Sequence, residues 1–493
     1  MSALGVRRAG LRQILQLIRR FQQGQILRHL LRITISLALL PLDSTILFVA
    51  IAIGHLSSLF SHSGPAKRRS EILRDVQFRP KTILITGVNT PHGLRVARCF
   101  YQEGHRVVGA DITDIALASG ESMSRALLAY YRIPKPQYGS KLLDVIQREK
   151  ADLWIPCSQD TSVMEDAMAK QSIESKTGCK CITLDAEVAM QWSHRETFMQ
   201  YLIENDLPIM ECHQVQSRDS IHRILHRSPT KLYHLRRSAP ALKQDTTIVL
   251  PKRTLSLTYL EVSEIQVSKD CPWLMQQQSR LGEFVADLLV VRGHVAAITI
   301  RPAKEESDWG CSPLNDGVAA AIQKLMENFA LKSGPRNTGH LSVRLMVDQE
   351  LNVNSIRYVV HIAACAHGAA TITQLLHSTP VYSLISGYLA ICSESGVVPN
   401  HSPEVLHGHN RTGLSKNPSQ RPSLFRMLKG YDVRKVLPAL YPVAQLVDRA
   451  LYEVVELLFW KNWRFSTTDP LPWWWHTHVY QPSRELNLVL QHH

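Results

Sequence analysis

GHLSVRLMVDQELNVNSIRYVVHIAACAHGAA, residues 339–370, is the stretch whose reading decides the fold. Within 339–360 it reads as two short strands around a polar turn, followed by a small-residue segment with histidines. Its only acids are Asp348 and Glu350, and both fall in the turn, where solvent-facing acids belong. His361, Cys365 and His367 form a His-x3-Cys-x-His cluster with imidazole and soft donors. It lacks a fourth ligand at a diagnostic spacing, so these residues read as the floor of a site rather than as a metal centre.

Working back from this pair, Phe284–Val291 and Val295–Ile300 are strands flanking a tight Arg292-Gly293-His294 turn, which is a hairpin signal. Lys231–Arg236 and Trp273–Gln278 are further strands, and Leu314–Leu331 is a helix. Runs of strands in this order give an α+β region. Upstream the grammar differs. KTILIT (81–86) ends in Gly87, a helix follows over His92–Gln102, and RVVGAD (106–111) is a second strand. Helices at 141–148 and 161–170 and strands at 152–157 and near 181–184 continue the pattern, so one open parallel sheet covers roughly 80–190. A long helix over Ala186–Glu204 links the two regions.

The turn Gly87-Val-Asn-Thr-Pro-His-Gly93 has two glycines separated by five residues, whereas a dinucleotide fingerprint needs three in close order. Asp111 ends the second strand where a ribose-binding acid would sit, although strand ends carry Asp for turn reasons as well. Tyr131 and Lys135 have the Tyr-x-x-x-Lys spacing of short-chain dehydrogenases, but Pro134 and Pro136 argue against the helix that chemistry requires. Nicotinamide binding is therefore set aside.

The chain has 493 residues and a formal net charge of +14, with 45% apolar and 20% charged residues. Residues 1–32 hold seven arginines and no acid, which accounts for half of that excess. Ile33–Phe60 then runs without charge except for Asp43, long enough to enter a bilayer whose core takes about 20 helical residues. Pro41 and Asp43 place the acid near an interface or at the bend of a shallow hairpin. A buried core helix and an Arg-rich organellar leader are the competing readings. A membrane anchor, single-pass or hairpin, with the globular part facing the cytosol is the expectation. Nine scattered cysteines show neither a disulfide framework nor a zinc spacing and fit a reducing compartment. Because the basic residues concentrate beside an apolar segment, nucleic acid is not an expected partner.

A Rossmann-like region, a linking helix, an antiparallel region with a hairpin and a final strand pair stand in the order of the ATP-grasp superfamily. The chain resembles in particular the membrane-anchored ATP-grasp proteins of fungal secondary-metabolite gene clusters, whose tails read much like DPLPWWWHTHVYQPS at 469–483. The resemblance implies an α/β protein: an N-terminal membrane segment, a Rossmann-like pre-ATP-grasp domain, then an α+β ATP-grasp-like domain. The expected boundaries are a basic head at 1–32, membrane segment 33–60, linker 61–80, domains 81–190 and 191–394, a connection 395–423, and a tail 424–493. That tail has an amphipathic helix pattern over Tyr441–Trp460 and a Trp cluster that either packs a terminal arm onto the core, the favoured reading, or anchors at a membrane interface.

The implied activity joins a carboxylate to an amine through an acyl-phosphate, with ATP and magnesium. Arg236 and Lys252 fall where cations neutralise phosphate, Gln276 and Gln277 fall on the adenine-reading hinge, and Glu283 falls where an acid faces ribose. The family's metal-holding Asp, Glu and Asn appear as Arg344, His361 and Ala363, none of them a hard oxygen donor. The implied partners are a membrane, a small carboxylate, an amine, and enzymes of the same pathway. The alternative is a non-catalytic protein of the same fold that scaffolds or regulates a pathway enzyme.

Overall fold

The computed structural model describes residues 29–54, 65–113, 117–228, 231–237, 248–268, 273–279, 281–303, 314–352, 355–393 and 462–491. The segments expected as a basic head (up to residue 28), a connection at 395–423 and a helix at 441–460 lie outside them. The chain forms two compact units, residues 1–160 with 410–493, and residues 161–409.

In the first unit, helix α1 (His29–Gly54) is continuous. Of the two readings of Pro41 and Asp43, an interface or the bend of a hairpin, the bend is not formed, and Asp43 is taken up by a partner far along the chain, described below. Helix α2 (Pro65–Arg74) precedes strand β1 (Thr82–Thr86), helix α3 (Pro91–Gln102), β2 (Arg106–Ile112), β3 (Ala129–Ile133), α4 (Tyr138–Glu149) and β4 (Leu153–Pro156). The strands are parallel in the order β3-β2-β1-β4. Every residue from Ile83 to Thr86 and from Val107 to Ile112 is buried, the continuous burial expected of a parallel sheet covered on both faces. Strand β3 was not foreseen. It carries Tyr131, and Lys135 follows in a short 3-10 turn, so the Tyr-x-x-x-Lys match lies on no common helical face.

The turn after β1 is closed by its own side chains. Gly87 has φ +78, and a Cβ there would meet Ser158 N at 2.3 Å. Thr90 caps α3, its Oγ accepting from Gly93 N at 3.1 Å and donating to Gly87 O at 2.7 Å. His92 is buried and its Nε2 donates to the Cys157 carbonyl at 2.9 Å. Asp111 accepts from Asn89 N (2.9 Å), Tyr130 OH (2.9 Å) and Ser119 Oγ (3.4 Å). Burial pushes its carboxyl up to about 6. This acid holds the sheet edge together, which is a structural role and not that of a ribose ligand.

A C-terminal arm, residues 462–491, packs over the same edge. Arg98 Nε and Ser124 Oγ donate to Asp469 Oδ2 at 2.9 and 2.6 Å, and Arg125 N donates to Oδ1 at 3.1 Å. Arg464 pairs with buried Glu121, and Trp475 Nε1 donates to the Ala118 carbonyl at 3.3 Å. The arm is helical over Leu471–Trp475, makes a π turn over His476–Tyr480, and continues as a helix over Gln481–Gln491. Trp473 is buried, so the Trp cluster packs onto the core as expected.

The second unit opens with α5 (Val163–Lys176), the two-residue strand β5 (Lys180–Cys181), α6 (Ala186–Ser193) and α7 (Arg195–Glu204). One long helix was expected over 186–204. It breaks at His194 (φ −105, ψ 130), which lets Trp192 and Phe198 both reach Phe329, at ring distances of 5.3 and 6.4 Å. Strands β6 (Cys212–Val215), β7 (Tyr233–Arg237), β8 (Ile248–Leu250) and β9 (Trp273–Gln277) form an antiparallel sheet in the order β6-β9-β7-β8. Helices α8 (Arg218–Arg227) and α9 (Leu255–Glu264) supply Ile221, Leu225 and Val262 to a core with Tyr233, Leu235 and Met275.

A second antiparallel sheet has the order β11-β10-β12-β13, from β10 (Gly282–Val291), β11 (His294–Pro302), β12 (Gly339–Asn352) and β13 (Ser355–His367). Arg292 (φ 51) and Gly293 (φ 77) make the two-residue hairpin turn, whose central residues both require positive φ. Phe284, Ala286, Leu288, Leu341, Val343, Leu345 and Ile362 face helix α10 (Asp316–Lys332), which contributes Val318, Ile322, Met326 and Phe329. Each of the larger of these side chains, Ala286 aside, stabilises the fold by about 1.5–3 kcal/mol when buried. Asn315 caps α10 by accepting from Val318 N at 2.8 Å. Helices α11 (Ala370–Ser378) and α12 (Val381–Leu389) follow.

Asp469→Ala should free the arm. It leaves the part-buried Arg98 guanidinium with its carbonyl acceptors but without its carboxylate, a loss of roughly 1–3 kcal/mol. The expected outcome is proteolysis within 462–491 of the full-length protein under conditions where the unaltered chain resists; equal resistance would refute the anchoring role of Asp469.

Candidate functional site

Because α10 takes one face of the β11-β10-β12-β13 sheet, the residues between those core positions point the other way. On that second face stand Glu283, Val285 and Asp287 of β10, Ser342, Arg344, Met346 and Asp348 of β12, and Thr299 and Arg301 of β11. β13 adds His361 opposite Met346 and Ala364 opposite Arg344. The register slips between Arg344 and Leu345, leaving Ala363 as the extra residue of a β-bulge. The three positions proposed for the family's metal ligands therefore come together: Arg344 beside the bulge at Ala363, and His361 one pair further on.

The sequence expectation for the two acids is corrected. Strands β12 and β13 are 14 and 13 residues long, so Asp348 and Glu350 lie inside β12, opposite Val359 and Arg357. The polar run was read as a turn because its solvent-tolerant residues alternate with few apolar ones. Asp348 is largely covered, its side chain 15% exposed. Its Oδ2 accepts from Gln277 Nε2 at 3.2 Å and lies 3.9 Å from His361 Nε2, while His361 Nδ1 donates to the Ile209 carbonyl at 3.1 Å. Ser279 Oγ and Leu281 N donate to the Val347 carbonyl, at 2.5 and 3.1 Å, fixing the crossing from one sheet to the other. Gln277, Asp348 and His361 thus tie the two sheets of this unit at one corner.

The bulge also divides His361 from Cys365 and His367. In a regular strand all three would share a face, but Cys365 and His367 pair with Val343 and Leu341 of the core face. Cys365 packs against that core. Among the described residues no group of three His, Cys, Asp or Glu is placed to hold a metal.

On the other sheet, Tyr233 and Leu235 turn into the core, so His234 and Arg236 point to the opposite face, where His234 is paired with Gln276 and Arg236 with Leu274. Burial, and then the charge of Arg236, hold the His234 ring below its ordinary pKa. Arg236 and Gln276 thus share one surface. Gln277 is buried at the strand end, and Glu283 begins β10 just beyond the crossing. Lys252 is placed elsewhere, its Nζ 3.5 Å from Glu261 on α9.

Magnesium asks for about six hard oxygens in near-octahedral order. Asp287, the buried carboxylate on this face, already accepts from Arg301 Nε at 2.9 Å and Ser342 Oγ at 2.7 Å. Arg344 is exposed, and His361 and Ala363 offer no oxygen side chain. This donor set does not fit the metal. The Asp287, Arg301 and Ser342 group was missed in the sequence, where only strand alternation around Asp287 could have signalled it.

No family model and no curated protein matches this chain. The chain is similar to solved structures of a carboxylase, a ligase and a synthetase. The biotin carboxylase subunit of pyruvate carboxylase is 11% identical, with 64% of this chain and 70% of that chain covered at a TM-score of 0.45. An L-amino acid ligase from Bacillus licheniformis is 13% identical (64% and 75% covered, TM-score 0.39). N5-carboxyaminoimidazole ribonucleotide synthetase, solved as an ADP complex, is 12% identical (64% and 78% covered, TM-score 0.38). The likeness is one of fold.

A carboxylate at position 277 should be destabilising in this setting. Gln277→Glu places a second carboxylate within about 3 Å of Asp348, and two such groups cannot both ionise without raising one pKa. The folded-state pKa of the pair rises above its unfolded value, so the loss is present at pH 7.5 and relieved as pH falls towards 4. A lowered melting temperature at pH 7.5 that recovers on acidification, and recovers at pH 7.5 in the double variant with Asp348→Asn, is expected. A pH-independent loss would rule out the contact.

Proposed function

We propose that the protein is a diverged ATP-grasp-type carboxylate–amine ligase held at a membrane and acting in a secondary-metabolite pathway. The observation that supports this reading is the surface shared by Arg236 and Gln276, joined through Gln277 to the corner that carries Asp348, His361 and Glu283. In this reading a carboxylate attacks the γ-phosphorus of ATP, releasing ADP and forming an acyl-phosphate. An amine then attacks the acyl carbon, phosphate leaves with the bonding pair, and the amine proton passes to water.

This chain's residues supply binding and orientation. Arg236 neutralises phosphate oxygens, and Lys252 serves as a second cation only if it leaves Glu261. Gln276 and Gln277 meet the base, and Glu283 faces the ribose. Arg344, exposed on the polar face, adds positive charge where the family places acids, so phosphate charge is met by guanidinium.

A second reading is favoured by one observation, the commitment of Asp287 to Arg301 and Ser342 beside Arg344. It is a non-catalytic protein of this fold that scaffolds or regulates a pathway enzyme. The two separate on ATP. The ligase should show a raised melting temperature with ATP, about 2.7 kcal/mol of stabilisation at 100 times the dissociation constant, and ADP release with pooled acids and amines. Neither response would end the ligase reading. The triple variant Arg344→Asp, His361→Glu, Ala363→Asn should make the ATP shift magnesium-dependent, and no gain would count against the proposed register.

A further inference from the structure

Helix α1 is 26 residues long with a mean hydropathy of 2.1 over its most apolar window, and only 17% of that window is buried. At 1.5 Å per residue it is about 39 Å long, enough to cross a hydrocarbon core of about 30 Å. Its two faces differ. Ser36, Asp43, Leu47 and Ala50 are buried along one stripe, whereas Leu37, Leu42, Phe48, Val49 and Ile53 are exposed. The hydroxyls of Thr34 and Thr45 on the exposed side donate to carbonyls of their own helix, Thr34 to Leu30 (2.7 Å) and Thr45 to Leu42 (2.6 Å). They ask nothing of the surroundings, as a lipid-facing surface requires.

The buried stripe is occupied by the C-terminal arm, running antiparallel. Trp474 Nε1 donates to Ser44 Oγ at 3.2 Å, and Asp43 Oδ2 lies 2.9 Å from His478 Nε2 with both side chains fully covered. Ser36 Oγ donates to the Thr477 carbonyl at 2.9 Å, and Arg32 and His29 meet Glu485. The middle of α1 therefore rests on residues 474–478. Those same residues rest on the parallel-sheet unit: Trp475 bonds the Ala118 carbonyl, and Gly120 sits so close to the arm that a Cβ would reach the Pro472 carbonyl oxygen at 2.5 Å. Arg464 with Glu121, and Arg98 with Asp469, are bound to this same edge.

We infer that α1 does not cross the bilayer but lies in the plane of one leaflet, its exposed apolar face in the lipid and its polar stripe on the arm. Were α1 to cross, its midpoint would be at the bilayer centre, and the arm would carry the 118–121 turn and Arg464 into hydrocarbon, where charged groups are costly. Lying flat, the helix has the amphipathic arrangement of an interfacial anchor. The occupant of the exposed face is a leaflet with anionic headgroups, since residues 1–32 carry seven arginines and no acid. The inference rests on the membrane attachment proposed above.

The test uses the full chain with epitopes before Met1 and after His493, expressed in cells from which sealed microsomes are prepared. In-plane binding predicts that protease added outside removes both epitopes. Protection of the N-terminal epitope, alone or with the C-terminal one, overturns the in-plane arrangement while leaving the anchor intact. Recovery of the unaltered chain in the soluble fraction overturns the anchor itself. The variant Leu37→Glu with Phe48→Glu should reduce the membrane-bound fraction about tenfold or more, with melting in detergent unchanged. Undiminished binding by a folded variant would show that this face is not in lipid.

Discussion

The sheet β11-β10-β12-β13 can give only one face to α10, and that constraint fixes where the polar residues of the second unit stand. Strand alternation leaves no choice once Phe284, Leu288, Val343 and Leu345 are buried. Asp287, Arg301, Ser342, Arg344 and Asp348 must then share the other side. A one-residue slip would reverse every assignment, and the chain contains such a slip at Ala363. The bulge lies beyond the pairs that bury Val360 and Ile362, so the core is undisturbed while Cys365 and His367 are turned away from His361.

Where the sequence carried a local signal, the structure follows it. The hairpin at 284–300 is visible because two apolar runs flank a tight Arg292-Gly293-His294 turn whose central residues take positive φ. The parallel strands β1, β2 and β4 are visible as short apolar runs between helical patterns, and the strand β9 ends one residue from where its pattern ends. What failed was read from composition alone. Asp348 and Glu350 have the composition of a turn, yet a strand whose second face is polar tolerates acids as readily as a turn does. The break at His194 has no local marker either, because it is set by the rings that Trp192 and Phe198 bring to Phe329.

The least legible feature is the longest in sequence separation. Nothing near Asp43 announces that His478 will cover it, and nothing near the Trp cluster announces Ser36. Read alone, an acid in an apolar helix implies a bend or an interface. Paired across the chain, it implies a seam between two helices. The order of domains could be read from local pattern, whereas the way α1 is held depends on contacts that no window of sequence contains.

The two polar corners of the second unit solve different electrostatic problems. Asp287 is buried and its oxygens are met by Arg301 and Ser342, so it carries charge that is already balanced. A cation entering beside it would have to displace Arg301 and approach exposed Arg344 at the same time. Asp348 is covered by an amide, Gln277, and by an imidazole set 3.9 Å away, a looser arrangement than that around Asp287. Arginine can satisfy phosphate oxygens by bidentate hydrogen bonds without a metal, but it cannot bridge two ligands in the octahedral order that phosphoryl transfer uses. Holding a phosphate and transferring it are for that reason separable requirements, and guanidinium groups meet only the first.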